Sequence, residues 1–167
     1  MIANLLFIPT LVSALGCGLI AGAFFAFSTF VMKALGNLPA AQGIAAMQSI
    51  NVVVLNPWFL GVFVGTAAIC ALQAVSSLFM WHRPGVAYLF AGSVLYIFGT
   101  FLVTMMFNVP RNDALAAVDP TSAQAANLWA DYLVTWTNWN HVRTLAALAG
   151  AALLTIALCF SRIREAA

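Results

Sequence analysis

Four long apolar stretches dominate this chain and limit what it can fold into. They cover approximately residues 5–31, 59–80, 86–107 and 142–160. Each approaches or exceeds the ~20 apolar residues that a helix needs to cross the hydrocarbon core of a bilayer. The sequence therefore predicts an all-α integral membrane protein in which four helices form a bundle.

The composition agrees with a membrane protein and excludes an ordinary soluble domain. Of the 167 residues, 64% are hydrophobic and 6% are charged, whereas about a quarter of the residues of a soluble domain are charged. The length suits one four-helix domain over residues 1–167. The net charge of +2 comes without a basic patch. We therefore expect the lipid bilayer as a partner, allow for a homo-oligomer and do not expect nucleic acid.

The amino-terminal sequence predicts a retained first helix in a multi-pass protein. It lacks the positive charge that precedes the apolar part of a cleaved signal peptide, and its apolar run is too long for one. Three Lys or Arg residues fall on each side of the membrane, so the positive-inside rule does not decide the orientation. The basic loop 81–85 and tail 162–164 are typical of cytoplasmic segments. We expect a bacterial inner membrane protein with both termini inside.

Two further features concern packing. The three cysteines, Cys17, Cys70 and Cys159, lie in separate apolar stretches without a C-x-x-C motif. This indicates small buried residues rather than a thiol relay, and we expect the three thiols to be uncoupled. Gly18 and Gly22 form a small-xxx-small pair in the first helix, a face continued by Phe25 and Thr29. Such a pair predicts a groove in which another helix packs.

Most of the unusual polar residues lie in the segments that follow the first and third apolar stretches. Because four crossings alternate in direction, both segments must emerge at the same membrane face. The first, residues 34–57, predicts a short surface helix over 40–51 with prolines before and after it. Asn51 is on the apolar side of this helix. Its side chain either lies at the membrane interface or points into the bundle. Asn56 directly precedes Pro57.

The second polar segment begins where the third helix is predicted to end, at Phe107. Pro110 disfavours helix at the residue before it, so we expect the chain to turn there. Asn108 and Arg111 are then candidate donors for the carbonyl groups left open at the helix end. Together with Asn112, these polar side chains exceed what capping alone requires.

The fourth helix is predicted to begin outside the bilayer and to carry an aromatic stripe. Asp119 and Pro120 form a strong helix start, so the helix should run from near Thr121 for roughly forty residues, on the order of 60 Å. One face carries aromatic residues that lead to an arginine: Trp129, Tyr132, Trp136, Trp139 and Arg143. The opposite face carries Asn127, Asp131, Asn138 and His141.

The stripe has two interpretations. Trp and Tyr concentrate at membrane interfaces, so an aromatic belt explains the rings by themselves. A belt does not explain why they share one face with Arg143, an expensive residue inside an apolar run. No Asp or Glu occurs in any apolar stretch, so the expected partners of Arg143 are amide oxygens, helix-end carbonyls or a bound anion. This favours a pocket lined by the stripe.

His141 is either a hydrogen-bonded residue of the membrane interface or a general base. It is the only imidazole on this side of the membrane, and imidazoles suit proton abstraction near neutral pH. On an ideal helix, however, it points away from the stripe. His82 belongs to the opposite face, and no carboxylate pair or His cluster occurs that would bind a metal. We expect neither a metal nor another cofactor.

Four segments carry a resemblance to a known family. They are residues 22–28 (Gly-Ala-Phe-Phe-Ala-Phe-Ser), residues 47–51 (Met-Gln-Ser-Ile-Asn) with Asn56-Pro57, residues 108–112 (Asn-Val-Pro-Arg-Asn) and residues 136–144 (Trp-Thr-Asn-Trp-Asn-His-Val-Arg-Thr). In this order the chain resembles the anthrone-oxygenase-like family of small four-helix membrane proteins. Some members are linked to the oxidation of polyketide anthrones to anthraquinones without metal or flavin. The resemblance implies the same fold and a candidate monooxygenase activity.

That chemistry is compatible with the residues of the polar face. An anthrone is acidic beside its carbonyl group, and its enolate can react with dioxygen. A protein would need a base, donors for the developing oxyanion and a dry aromatic slot. We assign these roles to His141 as base, to Arg143, Asn108 and Asn112 as oxyanion donors, and to Trp136 and Trp139 as stacking residues. Further candidates for binding a small hydrophobic aromatic substrate are Asn51, Asn56, Arg111, Tyr132 and Asn140.

Two other classes of function stay open. The same pocket would also suit a protein that binds or carries a quinone, lipid or similar amphiphile without turnover. A membrane assembly subunit would need only the glycine face and the aromatic belt. A proton-coupled exporter is least favoured, because no carboxylate lies within an apolar stretch to couple transport.

Overall fold

The computed structural model describes the backbone of residues 2–163 and the side chains of residues 6–160. The regular structure in this range is helical, and α1 and α4 each contain π-helical turns. Helix α1 comprises Ile2–Ala26, Phe27–Val31 and Met32–Gly36; α2 is Ala40–Val53; α3 is Pro57–Phe79; α4 comprises Val86–Val94, Leu95–Leu102, Thr104–Asn108 and Val109–Ala116; and α5 is Ala125–Ile163.

Four of these helices are long and apolar enough to cross a membrane, namely Leu6–Gly36, Pro57–Phe79, Val86–Ala116 and Ala125–Phe160. The predicted all-α, multi-pass membrane bundle is thus confirmed, including the short helix after the first crossing. The basic tail residues Arg162 and Arg164 lie outside the described side chains. The orientation with both termini inside therefore stays a prediction.

Small residues bring the membrane helices together. A Cβ atom on Gly92 of α4 would lie 3.0 Å from the carbonyl oxygen of Gly150 in α5, so these backbones cross without room for a side chain. At the contact of α1 with α3, a Cβ atom on Gly16 would lie 3.2 Å from the Cβ atom of Thr66. Close approach at small residues is the usual way in which membrane helices gain packing contacts.

The packing groove predicted at Gly18 and Gly22 is wrong within this chain. Apart from the local backbone of α1, no atom of the described residues lies within 4 Å of a Cβ atom placed on either glycine, and Phe25 and Thr29 on the same face are exposed. Helix α1 instead approaches α3 at Gly16. Glycine spacing indicates which face of a helix can admit another backbone, but the rotation of the helix decides which face does so.

The cysteines also differ from the prediction. Cys17 and Cys70 are completely buried, as expected for small core residues. The two thiols are not isolated from each other, however, because packing of α1 on α3 brings them within hydrogen-bonding reach. Cys159 is exposed instead of buried. Sequence spacing could not reveal the Cys17–Cys70 pair, since its members lie on different helices.

Helix α2 folds over the end of the bundle at which α4 ends and α5 begins. Gln48 Nε2 donates hydrogen bonds to the carbonyl oxygens of Leu115 (2.9 Å) and Val118 (3.0 Å). Gly43 lies against the indole of Trp129, so that a Cβ atom on it would be 2.9 Å from the ring. Both polar segments therefore meet at one end of the bundle, as four crossings require.

The third membrane helix was predicted to end at Phe107, but it continues to Ala116. π-helical turns precede Pro110, which then occupies the first turn of the last α-helical part of α4, where a missing N–H group is tolerated. Arg111 donates from its guanidinium to the Phe107 carbonyl oxygen (2.7 Å). Arg111 thus bonds a carbonyl group inside the helix, and its predicted role at a helix end is wrong because the helix does not end at Phe107.

Helix α5 begins at Ala125, later than the start predicted near Thr121. The Asp119 carboxylate accepts hydrogen bonds from the backbone N–H (2.9 Å) and the hydroxyl group (2.8 Å) of Thr121. These bonds hold the pKa of the Asp119 carboxyl below its ordinary value. The side chain thus closes a turn before the helix instead of capping it. The length of 39 residues confirms a single long helix.

Candidate functional site

A column of aromatic rings lies along the buried face of α5. Trp129, Tyr132 and Trp136 are each at most 5% exposed. The centroids of Trp129 and Tyr132 are 5.6 Å apart and those of Tyr132 and Trp136 are 6.0 Å apart, with stacked planes in both pairs. These three residues of the predicted stripe therefore point into the protein, which a lipid-facing aromatic belt would not do.

Arg143 follows this column along α5 and is 3% exposed. Its guanidinium carbon lies 4.9 Å from the ring centroid of Trp136 and 4.1 Å from that of Phe24 in α1, both within cation–π range. The guanidinium donates to Asn140 Oδ1 (2.7 Å) and Thr104 Oγ1 (3.2 Å). Within residues 6–160 it bonds to no carboxylate, and its Nε has no hydrogen-bond partner. The cation is buried among neutral groups.

Asn140 fixes the position of Arg143. Its side chain is completely buried, and Nδ2 donates to the Phe24 carbonyl oxygen and to Ser28 Oγ, both at 2.7 Å. Its Oδ1 accepts the hydrogen bond from Arg143. The Thr144 hydroxyl, one turn further along α5, lies 3.1 Å from the Ser28 hydroxyl. Helices α1 and α5 are thus joined by a polar network around the cation.

Two further asparagines, both from α4, contact the aromatic column. Asn112 Oδ1 accepts hydrogen bonds from the Tyr132 hydroxyl and from Trp136 Nε1, both at 2.8 Å. Asn108 is completely buried and donates from Nδ2 to the Trp136 carbonyl oxygen (3.2 Å). Asn112 therefore sets the orientation of two rings, while Asn108 attaches α4 to the backbone of α5.

Several polar atoms of this region are buried without a hydrogen-bond partner in the described part of the chain. They are Asn108 Oδ1, Trp129 Nε1 and Arg143 Nε. Asn51 belongs to α2 and lies beside the Tyr132 hydroxyl, so it points into the bundle rather than decorating the interface. A buried polar group left unpaired costs about 1–3 kcal/mol. Their concentration around one column marks the region as a candidate ligand site.

Four of the predicted site residues lie apart from this cluster. The Asn56 side chain caps α3, where Oδ1 accepts from the backbone N–H groups of Trp58 (3.1 Å) and Phe59 (3.0 Å). Arg111 donates to the Phe107 carbonyl oxygen and to the Thr135 hydroxyl. Trp139 stacks on Phe107, and His141 is exposed on the other side of α5. The structure brings together Asn51, Asn108, Asn112, Tyr132, Trp136, Asn140 and Arg143.

Three residues of the cluster were not predicted from the sequence, namely Phe24, Ser28 and Thr104. Each lies within or close to a π-helical part of α1 or α4. π turns inside α-helices often occur at functional sites, but no pattern in this sequence marks them. The only available signal was that Phe24 and Ser28 belong to the first segment of the family resemblance.

The cluster combines flat apolar rings with a buried cation and amide groups. Such a combination suits a planar molecule that carries negative charge on an oxygen atom. Among the residues that the structure describes, no group of three His, Cys, Asp or Glu side chains lies close enough together to hold a metal ion.

The comparisons with known proteins agree with the resemblance seen in the sequence. No curated protein and no solved structure matches the chain. The sequence profile of the anthrone oxygenase family matches residues 58–153, which is more than half of the chain. This range contains α3, α4 and most of α5, and with them the buried arginine and the aromatic column. This four-helix membrane bundle therefore belongs to the anthrone oxygenase family.

Proposed function

We propose that the protein is a cofactor-independent oxygenase of anthrone-like or phenolic aromatic substrates, with its pocket at the cluster around Trp136 and Arg143. The observation that carries this proposal is the environment of the Arg143 charge. The guanidinium is buried among aromatic rings, an amide and a hydroxyl group, without a carboxylate partner among the described residues. An uncompensated buried charge is costly. A bound anion would offset that cost.

An enolate or phenolate meets this requirement in both charge and shape. Its negative charge is spread over a flat ring system, so the ring can stack on aromatic side chains while the oxygen accepts hydrogen bonds from the guanidinium. A nearby positive charge favours the ionised form of an acid. The substrate would therefore lose its proton more readily beside Arg143 than in an apolar pocket without a cation, and the low dielectric strengthens the attraction between the two charges.

The proposed reaction balances with dioxygen as the only co-substrate. Removal of a proton from the anthrone methylene carbon leaves an enolate, which gives its electrons to dioxygen as a carbon–oxygen bond forms. The resulting peroxide anion takes back the first proton, and the hydroperoxide then loses the second hydrogen of that carbon as a proton and expels hydroxide as the oxygen–oxygen bond breaks. The products are a carbonyl group and one molecule of water. The carbon is oxidised, and both atoms of dioxygen are accounted for.

The residues of the cluster divide these tasks. Arg143 stabilises the enolate and the peroxide oxygen that follows it, in the manner of an oxyanion hole. Asn112 orients the two rings that would stack on the substrate, because it accepts a hydrogen bond from each. Asn108 Oδ1 has no hydrogen-bond partner among the described residues and is available to the substrate.

The assignment of His141 as the base receives the least support from the geometry. His141 is exposed and lies on the side of α5 opposite the cluster, so a proton would have to leave the buried substrate before His141 could accept it. We expect ionisation beside Arg143 to be the main driving force, with water at the membrane surface as the final acceptor. The two assignments differ in what they predict for a His141 variant.

Oxygen uptake by the purified protein in lipid nanodiscs, with an anthrone as substrate, tests the proposal. The wild type should consume one dioxygen per anthrone and release the anthraquinone, in protein shown by elemental and absorbance analysis to carry no metal, haem or flavin. Arg83→Leu, in the exposed loop between α3 and α4, is a control that should match the wild type. Saturable anthrone binding without oxygen uptake would contradict the oxygenase and favour a carrier.

A further inference from the structure

The contact between Cys17 and Cys70 lies in a part of the bundle that the proposed reaction does not use. Both side chains are completely buried and belong to the same core cluster. Their thiols contact each other. Apolar residues, among them Ile20, Leu89 and Leu154, complete this cluster. The pair is therefore accessible only to reagents that can dissolve in the apolar interior.

The helix crossing beside this pair is unusually close. A Cβ atom on Gly16 would lie 3.2 Å from the Cβ atom of Thr66, so the Thr66 side chain of α3 packs directly against the backbone of α1. Cys17 follows Gly16 directly, and Cys70 lies one helical turn beyond Thr66. A disulfide bond needs Cα atoms about 4.4–6.8 Å apart. The contact of Gly16 with Thr66 places α1 and α3 close together next to the two cysteines.

We propose that Cys17 and Cys70 form a reversible disulfide bond between α1 and α3 when a small, uncharged two-electron oxidant such as hydrogen peroxide enters the bundle. In the first step one sulfur attacks a peroxide oxygen, which gives a sulfenic acid and releases water. In the second step the other sulfur displaces the hydroxyl group of the sulfenic acid, which gives the disulfide and a second water. Two electrons and two thiol hydrogens pass from the cysteines to the peroxide.

This modification site is independent of the proposed oxygenase activity. The cysteines and the rings of the aromatic column belong to two different core clusters. Bulky or charged thiol reagents, glutathione disulfide among them, should not react, because both sulfurs are completely buried. The exposed Cys159 should react with both classes of reagent, and it therefore serves as an internal reference.

Thiol counting on the full-length protein tests the inference. The Cys159→Ser variant is treated with hydrogen peroxide in detergent micelles, unfolded in dodecyl sulfate, alkylated with N-ethylmaleimide and weighed by mass spectrometry. We expect no alkylation after oxidation, a mass lower by two hydrogen atoms, a peptide that links Cys17 to Cys70, and recovery of both thiols with dithiothreitol. Cys17→Ser and Cys70→Ser in the same background should not form the link.

The same oxidation and mass spectrometry of peptides are repeated on the wild type, so that the test does not depend on the folding of a variant. The inference is overturned if Cys17 and Cys70 both stay open to alkylation at a peroxide concentration that fully oxidises Cys159. It is also overturned if oxidation stops at a sulfinic acid on one cysteine without a linked peptide. A link that forms equally well with glutathione disulfide would contradict the claim that only small uncharged oxidants reach the pair.

Discussion

The guanidinium carbon of Arg143 lies 4.1 Å from the centroid of the Phe24 ring. Asn140 joins the two residues, because its side chain accepts a hydrogen bond from Arg143 and donates one to the Phe24 carbonyl oxygen, both at 2.7 Å. A cation from α5 and a ring from α1 are thus held as one unit by a single amide. Any site built on Arg143 is therefore organised before a ligand arrives, which is the condition for electrostatic stabilisation of a transition state.

Replacing Arg143 by Leu should damage function more than membrane insertion. Leu is easier to place in hydrocarbon than Arg, so the variant should reach normal amounts in the membrane. Its kcat/KM for an anthrone should fall roughly 10²–10³-fold, the usual effect of removing one oxyanion-stabilising donor. Oxygen uptake at matched protein concentration measures the loss.

The conservative variant Arg143→Lys separates charge from shape. Lys keeps the positive charge but loses the planar contact with Phe24 and Trp136, so we expect activity between those of the wild type and Arg143→Leu. Full activity of Arg143→Leu at normal expression would mean that the pocket has been assigned to the wrong residues.

Asn140→Asp tests whether the site needs an external anion. The new carboxylate would take the place of the amide oxygen that now lies 2.7 Å from the Arg143 guanidinium, so the cation would gain an internal counter-ion. The bound substrate would then be harder to ionise. We expect a higher KM and a pH–rate profile displaced to higher pH.

Asn140→Ala is the matched control, because it loosens Arg143 without adding charge. It should lower kcat and destabilise the fold by about 1–3 kcal/mol, since the Phe24 carbonyl oxygen and Ser28 lose a buried donor, yet it should leave the pH profile in place. An Asn140→Asp protein with wild-type KM and an unchanged profile would refute the anion hypothesis.

The buried face of α5 could be predicted because helical periodicity fixes which side chains share a face. Trp129, Tyr132, Trp136 and Arg143 are all buried, as the stripe requires. Trp139 departs from the column, because the ten residues from Trp129 turn it by about 80° around the helix axis. It stacks on Phe107 instead, with centroids 3.7 Å apart.

The contacts between helices could not be predicted, because they depend on how each helix is rotated about its own axis. In a soluble protein the apolar stripe indicates this rotation. In a bilayer both the lipid and the core accept apolar side chains, so Phe25 can be 57% exposed while its neighbour Phe24 is buried. The rotation of α1 pairs Phe24 with Arg143 and places Gly16, not Gly18, against α3. The sequence does not specify this rotation.

Gly43→Ala should weaken the contact of α2 with the aromatic column. The added Cβ atom would lie 2.9 Å from both the Leu35 carbonyl oxygen and the Trp129 ring. Because the carbonyl belongs to the backbone, α2 itself must shift. We expect a lower Tm and reduced anthrone turnover, measured by a thermal shift assay and oxygen uptake.

Gly18→Ala is the control for Gly43→Ala, since nothing lies within 4 Å of the added atom. Alanine favours helix over glycine by about 1 kcal/mol, so Gly18→Ala should equal or exceed the wild type in Tm. Equal Tm values for the two variants would show that Gly43 of α2 does not pack against the Trp129 ring.

His141→Ala decides between the two accounts of proton removal. A general base that touches the substrate contributes roughly 10²–10⁴-fold to the rate, and its loss would lower kcat by that factor. The exposed side chain of His141 on the outer side of α5 leads us to expect a change of less than about tenfold, within the range of indirect effects. The measurement is kcat for an anthrone over the pH range of the assay, with Asn138→Ala, also exposed on α5, as a control for surface changes. If only His141→Ala lost activity by two orders of magnitude or more, His141 would be the base and the proton would have to reach it across α5.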